Sequence, residues 1–266
     1  MTEHTVGKLL IIGGAEDKKE ECKILKRFIE ESGGRESRIT VLTAATEYPL
    51  QVGSEYHELF LRLGAQEVQV LDVSDRSQAN RQGIGKDFEK STGIFFTGGD
   101  QLRITGLLGG TVLGAMLQEL YEKGIIIAGT SAGASVMSDT MIVGGEAGTA
   151  KKSNLTMAPG LGLLRSVVID QHFAQRGRIG RLLSAISQNP YVLGVGIDED
   201  TAILVQSDAH VLVIGTNTVT VVDASSSTTT NVSETTPGQA LVLSPIIMHV
   251  LSDGYSFDLK RRVSLL

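Results

Sequence analysis

The run Gly129-Thr130-Ser131-Ala132-Gly133 pairs a potential nucleophile with the residue types it needs. It follows the apolar stretch Ile125–Ala128 and precedes a helical stretch that starts at Ala132, so it is G-x-S-x-G between a strand and a helix. In that context the serine sits on a sharp turn, and small neighbours let a substrate approach its hydroxyl. The next backbone N–H groups point into the same space, where a developing oxyanion is stabilised. An ordinary glycine-rich turn with an incidental serine is the competing reading.

A serine nucleophile needs a base, most often histidine, and a carboxylate to orient it. The chain has five histidines. His4 lies in the terminal tail and His57 beside Tyr56 and Glu58 on an amphipathic helix. His210 falls at a turn between β runs, and His249 in a late apolar strand. His172 remains, in Asp170-Gln171-His172-Phe173 after the strand Val167–Ile169. That places it at a strand end, on the same edge of a parallel sheet as Ser131. For the carboxylate, Asp198-Glu199-Asp200 ends the apolar strand Leu193–Ile197, and Glu146 in a glycine-rich loop is a weaker rival. A solvated acidic turn is the plain alternative. The order Ser, His, acid departs from the Ser, acid, His order of the α/β-hydrolases.

Thr97-Gly98-Gly99-Asp100, after the strand Gly93–Phe96, offers bare backbone for a second oxyanion N–H, with Gln101 opening a helix. Asp100 as an N-cap explains the same residues structurally. Gly13-Gly14-Ala15-Glu16-Asp17 lacks the G-x-G-x-x-G spacing of a dinucleotide site. Arg176, Arg178 and Arg181 follow His172 closely, and in a helix Arg178 and Arg181 share a face. Guanidinium forks suit carboxylates, so this cluster in an acidic chain points to a substrate that bears them. A solvated helix start is the ordinary alternative.

The elements that must position these residues are short apolar strands alternating with helical patterns. Lys8–Ile12, Arg38–Leu42, Val68–Leu71, Gly93–Phe96 and Ile125–Ala128 read as strands. Helices are expected over Asp17 to Glu31, Ser54 to Leu63, from about Gln101, and over Thr111–Lys123. Such alternation gives a mostly parallel sheet sandwiched by helices. After about residue 190, Leu193–Ile197, Thr201–Val205, Val211–Ile214 and Val219–Val222 read as an antiparallel meander. Ala224–Thr236 reads as a solvated Ser/Thr-rich loop, and Ala240–Leu243 with Ile246–Leu251 as closing strands. With no linker or repeat, residues 1–266 read as one α/β domain with a C-terminal antiparallel β extension.

Composition narrows the function classes. A net charge of −6 over 266 residues argues against a dedicated nucleic-acid binder. The single cysteine, Cys22, excludes an intrachain disulfide and disfavours a structural zinc site. No apolar run approaches the roughly 18 residues of a membrane span. The first residues do not read as a signal peptide, so a cytoplasmic protein is expected. Glycine, at 31 residues, exceeds the average share of about 7%, and much of it falls at strand ends.

Together, Gly129-Thr130-Ser131-Ala132-Gly133, Asp170-Gln171-His172-Phe173 with its spaced arginines, and Ile197-Asp198-Glu199-Asp200-Thr201 resemble the cyanophycinases. These are serine-type exopeptidases related to peptidase E. The resemblance runs from Ile12-Gly13-Gly14-Ala15-Glu16-Asp17 to the closing strands. It implies a glutamine-amidotransferase-like (flavodoxin-like) fold with a nucleophile elbow. It also implies a triad of Ser131, His172 and Glu199, and an oxyanion hole from the N–H groups of Gly99 and Ala132. The matching substrate-pocket residues are Gln101, Asp170, Gln171, Arg176, Arg178 and Arg181. The implied substrate is cyanophycin, a poly-aspartate whose side chains carry arginine, cut at backbone α-peptide bonds to release β-Asp-Arg. A cytoplasmic homodimer without metal or cofactor is implied as well. Within that kinship, a dipeptidase of the peptidase E kind acting on short aspartyl or isoaspartyl (β-aspartyl) peptides is the alternative. A non-catalytic binding protein of the same fold is a further one.

Overall fold

The computed structural model describes residues 7–145, 148–152 and 155–265. The strands β1 (Leu9–Ile12), β2 (Arg38–Leu42), β3 (Glu67–Leu71), β4 (Gly93–Phe96) and β5 (Ile126–Thr130) form parallel pairs in the order β1-β5-β4-β2-β3. On the far side of β1 the same nine-stranded sheet continues antiparallel through β10 (Thr201–Val205), β11 (His210–Gly215), β16 (Ser256–Asp258) and β17 (Val263–Leu265). All four residues of β1 are buried, as befits a strand covered on both faces. Helices α1 (Lys23–Glu31) and α2 (Pro49–Arg62) cover one face, where Phe28, Tyr56, Phe60 and Phe95 cluster. On the other face lie α3 (Arg76–Ala79), α4 (Gln101–Leu108), α5 (Val112–Glu122) and the short α6 (Ala132–Ser135).

A second, four-stranded sheet packs beside these helices in the order β15-β12-β9-β8, built from β8 (Val167–Gln171), β9 (Leu193–Ile197), β12 (Val219–Asp223) and β15 (Ile247–Leu251). One apolar cluster runs from Leu9, Ile11 and Ile203 of the first sheet to Ile169, Val195 and Val221 of the second. Helix α7 (Ile179–Gln188) buries Leu182 and Ile186 against the second sheet's outer face. Two-stranded pairings complete the fold: β6 (Thr140–Gly145) with β7 (Leu155–Pro159), and β13 (Thr229–Thr230) with β14 (Leu243–Ser244).

The α/β class and the parallel half follow the sequence reading, with three corrections. The stretch after residue 190 is not one meander. β9 and β12 pair with each other in the second sheet, and the β10–β11 hairpin between them belongs to the first. The strand before His172 likewise belongs to the second sheet, so His172 reaches Ser131 across the gap between sheets and not along one edge. Helix α1 starts at Lys23 rather than Asp17. The Asp17 carboxylate accepts the N–H groups of Lys19, Glu20 and Cys22 at 2.7–2.9 Å, and Cys22 adopts a left-handed φ of 49°. That local capping outcompetes a helical turn.

The G-x-S-x-G pattern has a packing reason as well as a chemical one. A Cβ on Gly133 would lie 2.6 Å from the Phe96 carbonyl oxygen of β4, whereas Gly106, exposed on α4, has open space around it. Gly133→Ala is therefore expected to destabilise the protein by about 1–3 kcal/mol. Gly106→Ala is expected to stabilise it by about 0.5–1 kcal/mol. Urea midpoints at unchanged slope read both changes.

Candidate active site

Strand β5 delivers Ser131 to the start of α6 with φ 54° and ψ −108°, a conformation rare for a residue with a side chain. Its N–H donates to the Ile12 carbonyl at 3.1 Å, and its own carbonyl accepts the N–H groups of Ala134 and Ser135. The Ser131 hydroxyl stands 3.0 Å from His172 Nε2, and His172 Nδ1 stands 2.6 Å from Glu199 Oε1. Hydroxyl, imidazole and carboxylate are thus in hydrogen-bonding sequence, from the ends of β5, β8 and β9.

Each member of the acidic triplet has a different task. Asp198 is buried, and accepts the Ala174 N–H at 2.9 Å and the Thr218 hydroxyl at 2.7 Å. Asp200, at φ 46°, accepts the Asp17 N–H at 2.8 Å and the Thr216 hydroxyl at 2.9 Å. Only Glu199 faces the imidazole, while its backbone is held by the Gln175 and Asn217 side chains. Glu146 and His4 lie outside the described residues. His210 pairs with Asp208 at the surface, and His249 packs edge-on against Phe257.

Burial is the largest influence on His172 and pushes its pKa below the usual 6.5. The charges of Arg176 and Arg178 act in the same direction, while Glu199 opposes them by hydrogen bond and charge. The balance leaves a neutral imidazole near pH 7, the form that accepts a proton.

None of the six residues expected to bind substrate is among those that line the cleft at Ser131 and His172, and they differ in state. Asp170 and Arg181 are buried together, with Arg181 Nε donating to Asp170 Oδ2 at 2.9 Å and its Nη2 to Oδ1. Asp170 is therefore no free anion for a guanidinium; its charge is matched within the protein, as a buried carboxylate requires. Arg178 lies 3.5 Å from the same carboxylate and donates to the Gln171 carbonyl and side-chain oxygens. Burial and neighbouring Arg181 lower Arg178 to about 10, still charged at neutral pH. Arg176 is exposed. The Gln101 amide donates to the Ile142 carbonyl at 2.9 Å and so ties β6 to the start of α4. Phe96 of β4 pairs with Gly129 of β5, which brings the Gly98-Gly99 loop level with Ser131. Ala132 is the first residue of α6, so its N–H has no helical acceptor.

A cleft of about 260 Å³ opens at Ser131 and His172, walled by Glu16, Lys18, Glu55 and Tyr56. A larger cavity, about 600 Å³, lies between α1 and the Asp253-Gly254 turn, and neither Ser131, His172 nor Glu199 lines it. The cleft's Glu16 and Tyr56 escaped sequence reasoning, although Glu16 sits in the conspicuous Gly13–Asp17 run. Among the described residues, no His, Cys, Asp and Glu group of three or more is arranged to hold a metal, and no helix is long and apolar enough to cross a membrane.

Residues 9–213 match the model of peptidase family S51. The chain belongs to that family. Members are serine peptidases, in keeping with the hydroxyl–imidazole–carboxylate array. The S51 chain is 41% identical over 262 residues to the cyanophycinase of Geminocystis herdmanii, covering 98% of this chain and 96% of the relative. It is 39% identical to that of Trichormus variabilis, covering 97% and 87%. A crystal structure of a peptidase from an acI-B1 Actinobacterium superposes with a TM-score of 0.70 at 22% identity, over 96% of this chain and 98% of the other, and so shares the fold.

The charges around His172 give a pH test. If His172 is the base, its neutral form is the active one, and kcat/KM should rise through a pKa lowered from the usual 6.5. Arg176→Gln removes a charge that lowers this pKa and should move the acidic limb to higher pH. Glu199→Gln removes the opposing influence and should move it to lower pH. Profiles of kcat/KM between acid and neutral pH check both directions.

Proposed function

We propose that this protein is a serine-type exopeptidase that hydrolyses cyanophycin at backbone α-peptide bonds and releases β-Asp-Arg. The observation that carries the reading is the continuous Ser131–His172–Glu199 contact at 3.0 and 2.6 Å. Relatives named cyanophycinase, alike over nearly the whole chain, supply the substrate class. In this reading residues 1–266 act as one peptidase domain.

Ser131 Oγ attacks the carbonyl carbon as His172 Nε2 takes its proton. Glu199 holds His172 Nδ1–H and stabilises the imidazolium that forms. The tetrahedral oxyanion receives the N–H groups of Gly99 and Ala132. His172 then protonates the leaving amine, and the C–N bond breaks to leave an ester on Ser131. Water, deprotonated by the same imidazole, resolves that ester to a free carboxylate and restores the serine. Arg176 and Arg178 meet substrate carboxylates beyond the walls of the Ser131 cleft. Gln101 and Gln171 act from outside those walls as well, and the buried Asp170–Arg181 pair holds Arg178 in place. With Asp170 committed to arginines, the exposed Glu55 on the cleft wall is the carboxylate offered to a substrate guanidinium. The enzyme acts in the cytoplasm as a homodimer. The edge strand β15 supports a dimer surface, since Ile247, Met248 and Val250 are each about half exposed there.

Incubation with purified cyanophycin and mass spectrometry of the soluble products tests the substrate and the bond. The expected product is β-Asp-Arg, with release lost in Ser131→Ala and reduced by about 10⁴-fold in kcat in Glu199→Gln. Release only from short aspartyl peptides would instead assign a peptidase E-like dipeptidase. Light scattering should give twice the 28.3 kDa chain mass.

A further inference from the structure

The run Gly13-Gly14-Ala15-Glu16-Asp17 binds no dinucleotide by its spacing, and the steps above make no use of its acid. Yet Glu16 is a buried carboxylate, 5% exposed, on the wall of the catalytic cleft. Its Oε2 accepts the Thr130 hydroxyl at 2.6 Å, and its Oε1 accepts the Tyr56 phenol. Lys18 Nζ lies 3.8 Å from Oε1 and 4.2 Å from the centre of the Tyr56 ring. Burial, then the charge of Glu16, pushes the Tyr56 phenol well above its ordinary value, so it stays protonated and remains a donor. Two hydroxyl donors and one cation thus compensate a charge that would be expensive to bury alone.

The position of one donor indicates what the network does. Thr130 is the last residue of β5 and is bonded directly to Ser131, whose φ of 54° must be imposed by its surroundings. The Ser131 N–H bond to Ile12 fixes one side of that peptide. The Thr130–Glu16 bond fixes the residue just before it.

We propose that Glu16 is a positioning residue for the nucleophile. Through Thr130, and braced by Tyr56, it holds the end of β5 so that Ser131 keeps its turn conformation and its hydroxyl stays aimed at His172. A substrate-binding role for Glu16 would appear in KM. A merely structural role would appear in thermal stability without a selective loss of serine reactivity. Positioning acts on the chemical step.

This inference rests on Ser131 being the nucleophile, so the experiment first treats the full-length wild-type enzyme with a fluorophosphonate and locates the adduct by mass. Absence of an adduct on Ser131 overturns the nucleophile assignment itself. With that adduct established, Glu16→Gln, Thr130→Val and Thr130→Ser are compared for thermal unfolding, kcat, KM and fluorophosphonate rate constant. Glu16→Gln and Thr130→Val should lower kcat and the labelling rate together by about 10–100-fold, with KM within about threefold of wild type. Thr130→Ser, which keeps the hydroxyl, should restore both rates to within about threefold. Folded Thr130→Val with wild-type rates, or a loss that falls on KM, or no rescue by serine, overturns the proposal. If Glu16→Gln does not fold, the two Thr130 variants decide by the same criteria.

Discussion

Three consecutive carbonyls at the end of β1 hold the proposed triad together. Those of Ile12, Gly13 and Gly14 accept the N–H groups of Ser131, His172 and Asp200 at 3.1, 2.8 and 2.9 Å. The first acceptor fixes Ser131, the second His172, and the third the residue after Glu199. Ser131 arrives on the first sheet and His172 on the second, so the turn after β1 is where the two sheets acquire a common register at the site. Asp17 tightens the same turn. Its N–H donates to Asp200, while its carboxylate, lowered to about 2 by the N–H groups of Glu20, Cys22 and Lys19, caps the following residues.

That convergence explains how unfavourable backbone persists at the site. Ser131, His172 and Asp200 have φ values of 54°, 47° and 46°. Residues in such regions cost on the order of 1–3 kcal/mol each and endure only where their surroundings over-determine them. Here each donates its N–H to one short segment, β1 and its turn, that is itself buried. The payoff is geometric: three side chains from three strand ends meet within hydrogen-bonding distance before substrate arrives, which is the preorganisation that catalysis requires.

The pairing of Ser131 with His172 is more legible in the sequence than the topology is. Ser131 announced itself because a strained elbow demands small residues at fixed offsets, and His172 emerged because only one histidine followed a buried strand closely enough. Glu199 was not separable from Asp198 and Asp200 by residue type, because all three carboxylates are engaged and only their partners differ. The second sheet was hidden for a related reason. Buried strands of either sheet have the same apolar composition, so β9 and β12 looked continuous with the β10–β11 hairpin between them. The β6–β7 pair was missed because its strands alternate weakly and are only partly buried. Arg178 and Arg181 were legible as a pair, but not their convergence on buried Asp170, which depends on how α7 returns over β8.

If the β1 turn sets the geometry of the proposed triad, a side chain at Gly14 should disturb it. At φ 103°, a Cβ there would lie 2.4 Å from His172 Cε1, so the imidazole rests on bare backbone. Measuring kcat for Gly14→Ala, with fold integrity checked by circular dichroism, reads that contact together with the backbone strain of a side chain at this φ. A folded variant with kcat reduced by about 10²-fold or more is the expected result, because displacement of the base by about an ångström suffices for such a loss. A folded variant with kcat close to wild type would contradict the account.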